Sequence, residues 1–375
     1  MNRTPSLIVA IILILSTPAF ADLSPAVKVA ERVSAHCQTP RWSPDGKQLA
    51  VDVFNPKKDT RETWLLQVGP SNQKLGESEV RTGRSGASSL LGGKKAPIVE
   101  LTWAPNMKLL SKPYVFSSRG PKKNFDLFAD GAWLTDNPGN DGQPAWSSDG
   151  RFIAYTSQRR DSGDIYVIDL QGDPEKPIRA TLWPNATEFA PRWAPKKNYL
   201  LFVRSQDGNK GQDLGLVADV LRPQDSTQMV TNWKGDEIRP NWAPNGIQVA
   251  FYSNKDQKNT KLFDLWVVNI DGSKPKKLAQ DVVVDDLGPA WSPDGRAVLF
   301  VKRDFKENNP IRWVSTDGVR RGQLQTGTQL NSDLAIHSSS NGRIKLAFRS
   351  VGLNGSSDKL WQRVYVTSFT MDDLK

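Results

Sequence analysis

The sequence predicts an all-β fold: a β-propeller of four-stranded antiparallel blades, closed by an N-terminal strand. Three observations predict it. A tryptophan-centred motif recurs six times, at positions 42, 103, 146, 193, 242 and 291, with spacings of 61, 43, 47, 49 and 49 residues. Periods of this size belong to propellers and solenoids. Between recurrences, short β-rich runs alternate with Gly/Pro/Asp turns. Beyond the N-terminal 21 residues, no segment shows helical periodicity.

The elements follow in order within each copy. The motif reads Pro-Arg-Trp-Ser-Pro-Asp-Gly at 40–46, Pro-Ala-Trp-Ser-Ser-Asp-Gly at 144–150 and Pro-Ala-Trp-Ser-Pro-Asp-Gly at 289–295. The tryptophan closes a first strand. Ser-Pro-Asp-Gly then turns the chain, because Pro presets its own φ and Gly accepts positive φ. A second strand follows, as at 152–157 and 247–253, and a third, as at 164–169 and 264–269. A weaker fourth ends near 133–135 or 229–231. A degenerate seventh copy at 335–343 is followed by two more strands and no fourth. Residues 27–35 belong to no other copy, so they are expected to supply it and remove an open edge. Seven blades are expected, with six as the alternative if 92–134 or 330–370 is irregular. Residues 74–95, rich in Gly, Ser and charge, are read as a flexible insertion loop.

Composition narrows the function. The chain has 375 residues, a formal charge of +10, one cysteine and two histidines. One cysteine excludes a disulfide framework, an iron–sulfur cluster and a zinc ribbon. Two histidines exclude most histidine-rich metal centres. Residues 1–21 read as a signal peptide: a basic start, the apolar run 7–15 and Ala19-Phe20-Ala21 before Asp22. Residues 22–375 are then one exported domain, with no membrane span and the periplasm as its compartment.

The succession Pro-x-Trp-Ser-Pro-Asp-Gly, Phe-Ile-Ala-Tyr-Thr-Ser, Asp-Ile-Tyr-Val-Ile-Asp-Leu-Gln-Gly resembles the repeat of the TolB family of periplasmic propellers. The resemblance covers most of residues 36–370. It implies a propeller that binds other envelope proteins. TolB itself is implied to have six blades and a separate N-terminal domain, and to bridge TolA and Pal, the peptidoglycan-associated lipoprotein. Here only a short stretch separates Asp22 from Trp42, so that N-terminal domain is not expected, nor the TolA contact it would carry.

Catalysis finds little support. Nucleophilic catalysis needs an oriented base, and His36 and His337 are the only histidines. The repeated Asp-Gly pairs fit turn chemistry better than calcium loops. Cys37 fits a buried small residue. The expected function is therefore a non-enzymatic interaction scaffold without cofactor, binding an envelope protein through the face around the central channel. Nucleic acid is not expected as a partner. The position five residues before the tryptophan carries Asp141, Glu188, Glu237 and Asp286 in four consecutive copies. If the first strand lines the channel, these carboxylates form an acidic mouth for a basic segment or a divalent cation. Their bland alternative is bonding to backbone N–H groups of a neighbouring blade. Lys57, Lys58, Lys122, Lys123, Arg159 and Arg160 would form a basic rim. The rival function is a metal-assisted carbohydrate-active or glycan-binding propeller using the same carboxylates.

Overall fold

The computed structural model describes residues 23–32, 34–80, 98–120, 122–160, 162–206, 211–304, 306, 308–353 and 361–374. The expected signal peptide and residues 81–95 of the expected insertion lie outside them. Among the described residues, the strands form five four-stranded antiparallel sheets, one eight-stranded sheet and a two-stranded ladder of Thr328–Gln329 with Gly352–Leu353. The large sheet consists of two four-stranded antiparallel groups joined by the parallel pairs Gly211↔Gly235 and Gln212↔Asp236, so that seven four-stranded groups follow one another. Group 1 comprises β1 (His36–Trp42), β2 (Gln48–Asn55), β3 (Thr60–Val68) and β4 (Lys74–Glu79). The first strands of groups 2 to 6 are Ile98–Trp103, Asp141–Trp146, Ala186–Trp193, Gly235–Trp242 and Ala290–Trp291. Group 7 contains Ser332–Ser338, Ile344–Ser350 and Arg363–Phe369, and Val27–Ala30 is its fourth strand. The N-terminal segment thus completes the last group, as expected. One expectation is corrected: residues 74–79 are not insertion loop. Their backbone pairs with β3 from Trp64↔Glu79 to Val68↔Lys74, and this ladder makes them the outer strand of group 1. One short helix, Pro223–Ser226, precedes the outer strand of group 4. No helix among the described residues is long and apolar enough to cross a membrane.

The turn after Trp42, Trp146 and Trp291 builds itself from local bonds of its serine and aspartate. The Ser43 amide donates to the Gln48 carbonyl at 2.9 Å, its hydroxyl donates to Asp45 at 2.6 Å, and Gly46 sits at φ 65°. Ser147 with Asp149, and Ser292 with Asp294, repeat the arrangement. Asp and Ser are therefore turn formers here.

Core residues lie between the groups. Leu49, Val51 and Leu66 of group 1 pack with Ala347, Val364 and Val366 of group 7. Leu299 and Trp313 of group 6 pack with Leu346 and Phe348 of group 7. Every other adjacent pair has its own apolar cluster. The succession therefore returns to its start as a closed ring, which leaves no group with an uncovered face.

The motif tryptophans tie each group to the one before. Trp103 donates its indole N–H to the Arg41 carbonyl, Trp193 to Ala145, Trp242 to Arg192 and Trp291 to Asn241, all at 3.0 Å. Each acceptor immediately precedes the tryptophan of the preceding group. Trp146 alone leaves its indole N–H without a partner.

Candidate functional site

The inner strands surround a cavity of about 1050 Å³ lined by residues of the first five groups and by Asp286 and Leu287. A recurring irregularity decides which side chains reach it. In β1, Gln38 pairs with Asp52 and Arg41 with Ala50, so three residues on one strand span two on the other. The same bulge occurs in groups 2, 3, 4, 5 and 7. Three residues before the tryptophan, the chain takes positive φ in all seven groups: Thr39, Glu100, Gln143, Ala190, Arg239, Gly288 and Asp333, with Ile336 at the tryptophan position of the last.

This bulge corrects the expected acidic mouth. In a regular strand, residues five apart face opposite ways. The extra residue puts them on the same face. Asp141, Glu188 and Glu237 therefore turn with their tryptophans into the interface with the preceding group, where all three are buried with 0% exposure. Only Asp286 opens to solvent, its side chain 53% exposed and paired with Arg239 at 3.0 Å.

Each buried carboxyl lies near an aspartate in the first half of the third strand of the preceding group: Asp126 in Phe125–Ala129, Asp164 in Asp164–Asp169 and Asp213 in Gly211–Val217. Glu237 accepts the Ser253 hydroxyl at 2.7 Å, while its other carboxyl oxygen is buried without a hydrogen-bond partner, near Asp213. Asp213 in turn accepts the Thr231 hydroxyl at 3.1 Å and the Trp233 amide at 3.0 Å. Burial pushes Glu237 up to about 8, and the nearby Asp213 charge adds to the effect. A buried carboxyl beside a second one ionises at a cost, so Glu237 keeps its proton well above the ordinary glutamate range. Glu188 lies near Asp164 and Arg204, and burial pushes it up to about 7. Asp141 accepts from Asn137 and lies 3.7 Å from Arg159, and burial raises it too. Its neighbour Asp126 is pushed up to about 6 by burial and accepts the Thr135 hydroxyl at 3.1 Å. A different pair occupies the boundary of groups 6 and 7. Asp285 accepts the Asp333 amide at 2.9 Å, and burial pushes it up to about 7.

The expected basic rim divides. Lys57, Lys58, Lys123 and Arg160 are exposed. Lys122 is exposed and pairs with Asp136 at 3.1 Å. Arg159 is half-buried: it donates to the Tyr155 hydroxyl at 2.6 Å and to Ser157 at 2.8 Å, and lies 4.0 Å over the Tyr166 ring. That cage fixes Arg159 inside its own group.

The cavity wall instead carries arginines that the motif spacing did not single out. Arg41 pairs with Asp52 at 2.7 Å, and Arg61 lies 5.0 Å from the Phe54 ring. Arg192 donates Nη1 to the Pro191 carbonyl at 3.1 Å. Burial, then the nearby Arg239, lowers its pKa, and Glu100 opposes them. The positions one and three before the tryptophan carry no common residue type, so only the bulge geometry reveals them as the lining.

The remaining chemistry is dispersed. His36 accepts the Gln362 amide at 3.4 Å and packs near Trp361, whereas the His337 ring lies against Gly46 and Trp42. Cys37 is buried among Leu49, Val51 and Val364, and burial pushes its thiol up to about 11. Among the described residues, no three His, Cys, Asp or Glu side chains come together as a metal site.

A closed ring of four-stranded groups around one open cavity defines a β-propeller. Within that class, the chain is similar to propellers of the TolB type. The family model described as the TolB beta propeller domain matches residues 129–281. The Tol-Pal system protein TolB of Desulfosudis oleivorans is 29% identical over 115 residues, 30% of this chain and 25% of that protein. This chain therefore matches only a quarter of that relative's length. Among solved structures, one described as TolB from Agrobacterium tumefaciens matches with a TM-score of 0.50 at 20% identity, covering 71% of this chain and 89% of that one. An oligogalacturonate lyase from Vibrio parahaemolyticus matches with a TM-score of 0.58 at 11% identity, covering 95% and 100%. At these identities the structural likenesses speak to fold alone.

Proposed function

We propose that this protein is a non-enzymatic scaffold of the periplasm, whose seven groups act as seven blades of one rigid ring that binds a cell-envelope protein at its central cavity. The observation that carries the reading is the cavity itself. It is about 1050 Å³, it opens among inner strands of five groups, and its wall mixes Phe54, Phe125 and Phe189 with Arg, Gln, Thr and Asn side chains. Rigid walls with scattered polar groups suit recognition of an inserted segment. The matched relative is named as a Tol-Pal system protein, which supports an envelope partner of that system, such as the peptidoglycan-associated lipoprotein. The N-terminal 21 residues, read as an export signal, support the compartment.

The test is affinity capture from a solubilised envelope fraction. The bait is the wild-type chain, compared with Thr102→Trp, which places a large side chain on the cavity wall. One stoichiometric protein held by wild type and lost with Thr102→Trp is the expected outcome. Equal capture by both, with the variant shown to be folded by its melting curve, would place the interface elsewhere.

A further inference from the structure

Sequence spacing points to an acidic mouth; the cavity wall has the opposite character. Three of the four spaced carboxyls are withdrawn between groups. The carboxyls that do line the cavity, buried Asp141 among them with Asn137 and Arg159 as its partners, are already engaged. Asp52 accepts from Arg41 at 2.7 Å and from the hydroxyls of Thr39 and Thr63 at 2.6 and 2.8 Å. Asp286 pairs with Arg239. Glu100 accepts the Gln143 amide at 2.5 Å.

Arg192 differs from these. Its guanidinium carries five N–H donors, and its one hydrogen bond among the described residues goes to the carbonyl of its own neighbour, Pro191. No carboxylate among the described residues lies within ion-pair distance of it. It projects from the inner strand of group 4, next to the group that supplies Arg239, and both line the cavity. A half-buried guanidinium with a neutral acceptor on one nitrogen and open space before the others is shaped for a bidentate carboxylate.

We propose that Arg192, with Arg239 beside it, receives a carboxylate of an acidic peptide segment that the partner inserts into the cavity. The proposal rests on the reading of the cavity as the partner site and specifies the chemistry of what enters. Arg239 can contribute because its bond to Asp286 is a largely exposed pair, which contributes little and exchanges readily. Phe54, Phe125 and Phe189 offer the inserted segment apolar contacts beside the charged one.

The experiment uses the full chain with three probes at low salt: hexaglutamate, hexalysine and an uncharged Gly-Ser hexapeptide. Binding is read by melting temperature and by tryptophan fluorescence, since Trp193 lies next to Arg192 on the cavity wall. Hexaglutamate should raise the melting temperature of the wild type, with an effect that fades as salt rises. Arg192→Gln should weaken hexaglutamate at least about tenfold while melting no lower than wild type, because it gives up a desolvated charge that has no carboxylate partner. Arg192→Lys should recover part of the binding, as a point charge without the fork. Absence of a hexaglutamate effect, equal binding by Arg192→Gln, or preference for hexalysine would each overturn the proposal. The captured envelope partner separates this from the broader reading. If Thr102→Trp abolishes capture and Arg192→Gln leaves it unchanged, the cavity is the site but its ligand is not acidic. If neither variant affects capture, the cavity reading itself fails.

Discussion

The indole N–H of Trp42 donates to the carbonyl of Ala335 at 3.1 Å, across 293 residues of chain. It is the same bond that Trp103, Trp193, Trp242 and Trp291 make to their preceding groups, and here it joins the first group to the last. Besides the apolar cluster shared by groups 1 and 7, ring closure therefore uses this indole bond between inner strands and the Val27–Ala30 strand on the perimeter, paired from Val27↔Val366 to Ala30↔Val364.

Trp42→Phe should cost about 1 kcal/mol more than Trp146→Phe, since only the first variant loses a bond and leaves a carbonyl unmatched. The Trp146 indole has no acceptor to lose, so it controls for the change in ring size. Chemical denaturation of both variants measures the difference. Equal losses would show that the indole bond contributes nothing to closure.

Val29 is 2% exposed in the closing strand. Val29→Asp buries an unpaired charge there and should lower the melting temperature by several degrees and promote oligomers through the loosened edge. Size-exclusion chromatography after mild heating reports the second effect. A monomeric variant with wild-type melting would remove the strand from the closure account.

Stability should decline as pH rises from 4.5 to about 8. The folded chain holds the Glu237 proton up to about pH 8, whereas an unfolded glutamate releases it near its ordinary 4.5. Between these values the folded state binds more protons, so the stabilisation is complete below the lower value and is lost as pH rises through the upper one. Glu237→Gln is permanently neutral. It should flatten the fall in melting temperature across that window by about 3 °C, leaving the part owed to Glu188, Asp126 and Asp285. An unchanged slope would mean that Glu237 does not hold its proton in the folded chain.

The exposed cations and the caged one should part company. Arg159→Ala removes donors to Tyr155 and Ser157 and uncovers buried Asp141, so it should destabilise by about 2 kcal/mol. Lys57→Ala, Lys58→Ala and Arg160→Ala should stay within about 0.5 kcal/mol of wild type. Thermal melts of the four variants decide it, and a neutral Arg159→Ala would return that residue to the list of rim candidates.

Cys37 should be inert to a disulfide reagent at about pH 8 in the folded protein and react at once in denaturant, because the thiolate is the reactive species and burial suppresses it. Rapid native labelling would contradict its place in the closure core.

The ring was legible because its signal is redundant. Trp-Ser-Pro-Asp-Gly marks the end of one strand and the turn to the next, and the period carries the rest. Residues 74–79 were hidden because Lys-Leu-Gly-Glu-Ser-Glu is a polar outer strand that borrows its partner's ladder and lacks an apolar alternation of its own. The channel lining was hidden for a different reason. Asp141, Glu188 and Glu237 are spaced regularly, and strand alternation places them wrongly because a bulge adds one residue between them and the tryptophan. The left-handed position itself carries no common residue type, since Thr, Glu, Gln, Ala, Arg, Gly and Asp occupy it. Its one local mark is the proline that follows it at 40, 144, 191, 240 and 289, a residue that strands admit at bulges.

Six of those seven positions hold a side chain where glycine would sit more easily, at a cost of roughly 1 kcal/mol each. These residues also join the groups to one another: the Thr39 amide donates to Asp333 at 3.3 Å, the Gln143 amide to Glu100 at 2.5 Å and the Ala190 amide to the Gln143 side chain at 2.7 Å, while Arg239 pairs with Asp286 at 3.0 Å. The propeller thus carries a collar of linked side chains at its centre. Glycine at Glu100, Gln143, Arg239 or Asp333 would relax the backbone and cut a tie to the neighbouring group, so the inner chemistry of the channel changes only together with the stiffness of its rim.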